Sequence, residues 1–350
     1  METINISKSR IHEVDFANLE FGKYVTDHMF VAEYKKGNWQ LAKILPFQNL
    51  QLSPTALALH YGQTVFEGLK AFRMNNGNVS IFRIDKHFQR FNHSLERLCM
   101  PQVSFELFSE SIKQLVTIDS AWVPGWEGCS LYVRPFMIAT EERFGVKVSE
   151  EYKFIVFAGP VGPYYSKPLR VKIEDRYIRA AKGGTGYAKC GGNYGGAFYP
   201  AHQARLQGFD QVIWTDGSPD LNIEESGTMN VMFVIDRKVV TPPLSDTILD
   251  GITRDSLLAL AIDLGYEVEE RKINAKELVQ LHNEGRLKEA FGTGTAAVAS
   301  PIKTLHILGT DYHLPDYTSD SFMEKAKKLL TEIRIGLQAD KYGWNTVISK

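Results

Sequence analysis

Cysteine is scarce in this chain: three residues in 350, Cys99, Cys129 and Cys190, lie far apart. The set has the spacing of neither a zinc site nor a redox pair, which excludes a disulfide scaffold and predicts reduced thiols in the cytoplasm. An excess of one charge is also missing, since 40 basic against 41 acidic side chains leave a net charge of −1. Without a basic footprint a nucleic-acid partner is not expected, and a small molecule is. Apolar runs such as Leu257–Ile262 are far too short to cross a bilayer. The opening METINISKSRIHEVDF has neither the apolar stretch of a secretory signal nor the acid-free, arginine-rich bias of an organelle presequence. No period of about 20–50 residues repeats, which excludes solenoids and propellers. His60, His87 and His93 make no ligand-like constellation, so no metal is expected.

What is present is the composition of a globular protein, with 44% hydrophobic, 11% aromatic and 23% charged residues. The length favours two domains. Residues 24–34 and 39–46 read as a hairpin around Lys36-Gly37-Asn38, followed by a helical stretch near Thr64–Phe72. A short strand Val79–Arg83 leads to a helix capped by Asp85, whose apolar stripe is Ile84, Phe88, Phe91, Leu95 and Leu98 and which Pro101 terminates. A helix over Phe105–Ile118 and strands around Ser130–Ile138 and Tyr152–Ala158 precede the cluster Gly159-Pro-Val-Gly-Pro163, which marks a boundary. Strands near 169–174, 211–215 and 229–235 then mix with helices at 197–207, 253–264, 275–283 and 320–335. Regular βαβ alternation is absent, so the fold class is α+β. The expected division is a smaller N-terminal domain (1–160), an interdomain loop (161–173) and a larger C-terminal domain (174–350) that carries Lys189.

The densest chemical information lies in Lys182-Gly-Gly-Thr-Gly-Tyr-Ala-Lys-Cys-Gly-Gly-Asn-Tyr-Gly-Gly196. Seven glycines in fifteen residues disfavour regular helix or strand and suit backbone that approaches a ligand or turns sharply. Lys189 and Tyr194 are its reactive side chains. A lysine held near apolar groups loses its proton readily and attacks a carbonyl, whereas in a mobile loop it is merely solvated. The segment is not a P-loop, because Cys190 follows Lys189. Gly292-Thr-Gly-Thr-Ala-Ala297 imitates a dinucleotide fingerprint but lacks the acidic residue expected about 20 positions on. Its N–H and hydroxyl groups remain suited to an anion.

Taken together, Lys-Cys-Gly-Gly-Asn-Tyr-Gly, Leu131-Tyr-Val-Arg-Pro135, Glu225-Ser-Gly-Thr-Met-Asn230 and Phe291-Gly-Thr-Gly-Thr-Ala296 resemble the branched-chain amino-acid aminotransferases, which are fold-type IV pyridoxal-phosphate enzymes. The similarity runs from roughly residue 20 to the C-terminus. It implies reversible, ping-pong transamination of leucine, isoleucine and valine with 2-oxoglutarate. Lys189 would be the Schiff-base lysine and proton shuttle, Glu225 would face the pyridine nitrogen, and Tyr194 would bond the cofactor's phenolic oxygen. Arg83, Ile252, Thr253 and Thr295 would hold the phosphate, the middle two at a helix N-terminus.

On the substrate side the resemblance implies Tyr61 and Phe66 as aromatic walls, with Tyr132 and Arg134 on one strand face handling a carboxylate. Tyr164 would enter from the interdomain loop, although Tyr165 competes for that register, and Thr228, Ala296 and Ala297 would take the α-carboxylate. Glu141–Val148 resembles a loop that reaches across a homodimer interface, bringing Phe144 and Val146 to the neighbouring pocket; a free exposed loop is the competing reading. Some animal members carry a Cys-x-x-Cys pair where this chain has Ala297 and Ser300, so no thiol switch is expected there. A D-amino-acid aminotransferase or an aminodeoxychorismate lyase would share Lys189, Glu225 and the phosphate ligands. The Leu131–Pro135 and Gly191–Tyr194 motifs favour the branched-chain enzyme.

Overall fold

In the computed structural model, which describes residues 2–4, 6, 8–163 and 167–349, the chain divides into two units. Met1–Tyr164, Ala188–Gly192 and Ile333–Lys350 form the first, and Tyr165–Tyr187 with Asn193–Glu332 form the second. Two expectations change here. The strand expected near 169–174 is Leu169–Ile173, and it belongs to the second unit rather than to the interdomain loop of 161–173. The short stretch carrying Lys189, assigned to the C-terminal domain, belongs to the first unit, because Cys190 bridges Val65 and the Lys189 carbonyl accepts the Phe66 N–H at 3.0 Å.

The first unit is built on one sheet. Its members are β1 (Glu2–Thr3), β2 (His28–Lys35), β3 (Asn38–Trp39), β4 (Lys43–Pro46), β5 (Thr64–Phe66), β6 (Leu69–Arg73), β7 (Val79–Phe82), β8 (Ser130–Ala139), β9 (Tyr152–Val161) and the C-terminal β19 (Asn345–Ile348). The path runs β1-β4-β2-β9-β8-β6-β7-β19, with β3 on β2 and β5 on β8. Along β8 buried and half-buried side chains alternate, so one face is given to packing and the other to chemistry. The helical stretch expected at 64–72 is instead the pair β5 and β6, and Gly68 between them is required. A Cβ there would lie 1.8 Å from the Tyr132 hydroxyl.

Besides α1 (Leu57–Tyr61), two long helices cover the sheet, α2 (Ile84–Arg97) and α3 (Phe105–Ile118). The cap of α3 is Ser104, whose Oγ accepts the Leu107 N–H at 3.0 Å. Asp85 does not cap α2: Arg83 holds that position in a left-handed conformation with φ of 54°, and Asp85 sits in the first turn. The buried face of α2 is also mixed, adding His87, Arg90 and Ser94 to Ile84, Phe91 and Leu95.

In the second unit β10 (Leu169–Ile173), β11 (Gln211–Thr215), β12 (Ile223–Ser226), β13 (Met229–Ile235), β16 (Leu287–Gly294) and β17 (Val298–Ile307) pair in a closed ring, since β12 bonds both β11 and β13. A closed ring leaves no free edge, and Val171, Ile213, Val231, Phe233 and Leu305 fill its core. Three further strands, β14 (Lys238–Thr241), β15 (Glu267–Glu270) and β18 (Thr310–His313), extend it. Helices α4 (Gly192–Gly195), α5 (Phe198–Leu206), α6 (Ile252–Asp263), α7 (Ala275–Asn283) and α8 (Phe322–Ile335) complete the order. The glycine-rich segment thus includes one short helical turn, α4, contrary to expectation. Glu289 on β16 accepts the N–H groups of Phe322 and Met323, which anchors the start of α8.

Candidate active site

Lys189 is held by its backbone in the first unit. Its N–H donates to Ser94 Oγ on α2 at 2.9 Å, and its carbonyl takes the Phe66 N–H on β5. With both main-chain groups tied, the side chain lies with Nζ 5.0 Å from the Phe66 ring centroid. Arg134 shares that ring at 4.8 Å and donates to the Tyr132 hydroxyl at 3.1 Å. The alternation of β8 puts Tyr132 and Arg134 on one strand face, as expected, and β5 brings Phe66 beside Arg134. Arg134 Nε is buried with no hydrogen-bond partner among the described residues, an orphaned donor suited to a carboxylate. Tyr61 is more exposed, and its hydroxyl donates to the Phe144 carbonyl. Arg83 is buried at the start of α2, over Trp344 at 5.2 Å.

Beneath Phe66 lies a cluster that the motifs did not single out. Glu67 is fully buried, and its carboxylate accepts Arg90 Nε at 2.6 Å and Nη2 at 2.9 Å, with His87 Nδ1 at 2.7 Å. Burial works against the Glu67 charge, but the Arg90 guanidinium and then His87 outweigh it and hold the carboxyl well below its usual range. For His87 burial dominates and pushes the imidazole down, so the ring is neutral and donates from Nδ1. His87 and Arg90 occupy positions on the inward stripe of α2 where an apolar side chain is the norm. That anomaly was readable in the sequence.

In the second unit Glu225 is buried on β12. Arg179 Nε donates to its Oε2 at 2.7 Å, and the Leu249 N–H donates to its Oε1 at 2.7 Å. Arg179 also donates to the Gly186 carbonyl, tying Glu225 to the glycine-rich segment. Asn230, paired with Glu225 across β12 and β13, donates to the Leu249 carbonyl at 2.8 Å. A Cβ on Gly251 would lie 1.7 Å from Asn230 Oδ1, so only glycine fits where α6 begins. Gly251 brings no side-chain cap, which leaves the first-turn N–H groups of Ile252 and Thr253 without a partner inside the helix. Two motifs distant in sequence, Glu225–Asn230 and Asp250–Asp255, are thereby locked into one piece: a carboxylate at one end and an anion-binding helix start at the other. That donor set suits a group with a cationic ring and a phosphate. Burial pushes the neighbouring Glu224 carboxyl up, against a 2.5 Å bond from Thr247.

Thr295, Ala296 and Ala297 form the turn between β16 and β17, and Thr228 is exposed in the turn between β12 and β13. Tyr194 is half-buried on α4, where Asn193 pins the segment by bonds to the Thr185 hydroxyl and carbonyl. Tyr164 and Tyr165 lie outside the described residues. Among the described residues no cluster of His, Cys, Asp and Glu could hold a metal, and no helix is long and apolar enough to cross a membrane.

The class that this fold and these groups define is amino-transferase class IV, whose family model matches residues 64–305. A probable branched-chain-amino-acid aminotransferase of Staphylococcus epidermidis is 45% identical over 96% of this chain and 95% of its own. Among solved structures, the branched-chain aminotransferase of Thermoproteus uzoniensis with norvaline superposes with a TM-score of 0.75 at 25% identity, over 92% of this chain and 100% of that one. A T.th. branched-chain amino acid aminotransferase complexed with N-(5'-phosphopyridoxyl)-L-glutamate gives 0.73 at 26% identity, over 90% and 97%. The chain belongs to the branched-chain-amino-acid aminotransferases of class IV.

Proposed function

We propose that this chain moves the amino group reversibly between leucine, isoleucine or valine and 2-oxoglutarate, with pyridoxal phosphate as cofactor. The observation that carries the reading is Lys189 Nζ beside the Phe66 ring, with the buried, unpaired Arg134 Nε on the same ring. An aromatic wall suits a branched aliphatic side chain, and an orphaned guanidinium donor suits the carboxylate that glutamate brings to the same place. Pyridoxal phosphate supplies, when bound, a carbonyl for the amine and a ring that withdraws electrons from the α-carbon.

Lys189 takes and returns the α-proton at Nζ. Its fixed backbone limits the search for that geometry. Glu225 holds a proton on the ring nitrogen, and Arg179 keeps the carboxylate oriented for it. The Ile252 and Thr253 N–H groups would hold the cofactor's phosphate, with Arg83 and Thr295 as further donors. Tyr194 would orient the ring by a hydrogen bond to the cofactor's phenolic oxygen. Tyr61, Phe66 and Tyr132 shape the substrate side. Thr228 and the Ala296–Ala297 backbone receive the α-carboxylate. Phe144 and Val146, 78% and 79% exposed, suit a loop that covers the pocket of a second copy in a homodimer or an assembly of dimers. The three free cysteines suit a reducing cytoplasm.

Incubation with L-leucine and 2-oxoglutarate should yield glutamate, and Lys189→Ala should abolish it while cofactor still binds noncovalently. Turnover of D-alanine in place of L-leucine would overturn the specificity. Near-normal turnover in Lys189→Ala would remove the lysine from the mechanism.

A further inference from the structure

We propose that Glu67 and Arg90, with His87 and Ser94, form a charge-balanced seat under Lys189 that positions its amine and sets the electrostatic environment in which that amine holds a proton. The proposal deepens the reading of Lys189 as the proton-transferring amine and rests on it. All four are positioning residues: none is placed against substrate or cofactor.

The connection is continuous. Ser94 Oγ accepts the Lys189 N–H and donates to the Arg90 carbonyl at 2.9 Å. Arg90 grips Glu67 through two nitrogens. Glu67 immediately follows Phe66, whose N–H bonds the Lys189 carbonyl and whose ring lies under Nζ. The Glu67 N–H donates to the Pro135 carbonyl at 2.7 Å, fixing the same strand end to β8. A displacement of Glu67 therefore moves Phe66 and Lys189 together.

The charges are equally specific. Glu67 carries −1, Arg90 +1 and His87 none, so the seat is neutral while it stays intact. Among the described residues, Arg134 of β8 shares the Phe66 ring with Lys189 Nζ, Tyr132 of β8 bonds Arg134, and Cys190 adjoins Lys189 in the chain. They are unchanged by substitutions in the seat. A buried carboxylate with two cation-capable partners is costly to build, and a purely structural joint would be served as well by apolar side chains. A neutral support beneath an amine that must both hold and release a proton gives that cost a use.

The test reads the proton at Lys189 Nζ from the pH midpoint of the visible absorption band of the purified, cofactor-loaded chain without substrate. Glu67→Gln leaves Arg90 unbalanced, so the proton should leave more easily and the midpoint should fall by roughly one pH unit, the order of one uncompensated charge in a protein interior. Arg90→Gln leaves Glu67 unbalanced, and the midpoint should rise by a similar amount. Loosening of the fold alone would move both variants in one direction. Opposite shifts support the proposal. If one variant does not fold, the sign of the other decides. Unchanged midpoints, shifts of the same sign, or failure of both variants to fold would overturn it. Borohydride reduction followed by peptide mapping is read alongside. A pyridoxyl adduct on a lysine other than Lys189 would sink the functional reading itself, independently of how the seat titrates.

Discussion

The role proposed for Glu225, keeping a ring nitrogen protonated, requires its carboxylate to be held in place, and Arg179 is the side chain that bonds it. The contact is short, nearly nine-tenths buried on the arginine side and more deeply on the carboxylate side, and shared with the Gly186 carbonyl. Removing the guanidinium with Arg179→Met takes away a charge-assisted bond worth roughly 1.5–3 kcal/mol. If that loss falls on the transition state, kcat should drop on the order of ten- to a hundredfold, with a smaller change in KM for leucine. Steady-state kinetics would check this, and an equal rise in KM with kcat untouched would show that Arg179 serves binding alone. Nothing in Arg176-Tyr-Ile-Arg179 marks that arginine in the sequence. Its partner is 46 positions away, and only closure of the barrel brings them together. Lys189 and Glu225 were legible because glycine and motif context travel with them along the chain.

Elements were legible where local chemistry decides them. For α3 the polar cap Ser104 and an apolar stripe at helical spacing agree, and the helix lies over Phe105–Ile118 as expected. Ser104→Ala should cost about 1 kcal/mol of stability, measurable by urea denaturation, and leave turnover unchanged. Residues 64–72 misled because Val65, Leu69 and Phe72 repeat at helical spacing while β-sheet pairing, which is non-local, determines the structure. Gly68 carried the contrary information. A Cβ there would lie 1.8 Å from the Tyr132 hydroxyl and 2.6 Å from its ring carbon, so the whole ring has to shift. Gly68→Ala should then disturb the Tyr132–Arg134 bond as well as packing. We expect a stability loss of about 1–3 kcal/mol and a disproportionate rise in KM for 2-oxoglutarate. Normal KM values in a folded Gly68→Ala protein would show that Tyr132 has no part in carboxylate binding.

At the scale of the whole molecule, acid should weaken the first unit more than the second. In the first, Glu67 is ionised well below its usual range despite burial, because Arg90 and His87 outweigh it. A carboxyl depressed in the folded state stabilises the fold above its unfolded-state range, and that contribution is lost as pH falls toward its folded value. Lys70, buried on β6, gives a slope of the same sign in a separate, alkaline range. Burial and then Arg334 push its ammonium down to about 7. The fold carries that penalty at neutral pH and below, and sheds it as pH rises from about 7 toward the ordinary 10.5. Two buried carboxyls of the second unit act in the opposite sense. Burial raises Glu224 against Thr247, and raises Glu289 against the Met323 and Phe322 N–H groups. Each favours the protonated fold, so its stabilising effect is complete below the unfolded-state range and fades as pH rises through the raised value. Exposed pairs such as Lys238 with Glu269 weigh little in this balance. Tryptophan separates the two responses, since Trp214 is the second unit's one tryptophan while Trp39, Trp122, Trp126 and Trp344 lie in the first. Thermal unfolding followed by fluorescence in Trp214→Phe reports the first unit, and a variant keeping Trp214 alone reports the second. As pH falls from the ordinary carboxylate range, near 4, toward the depressed value of Glu67, the midpoint in Trp214→Phe should fall further than in the Trp214-only variant. Equal falls would mean that the buried charge of Glu67 does not govern how this fold responds to acid.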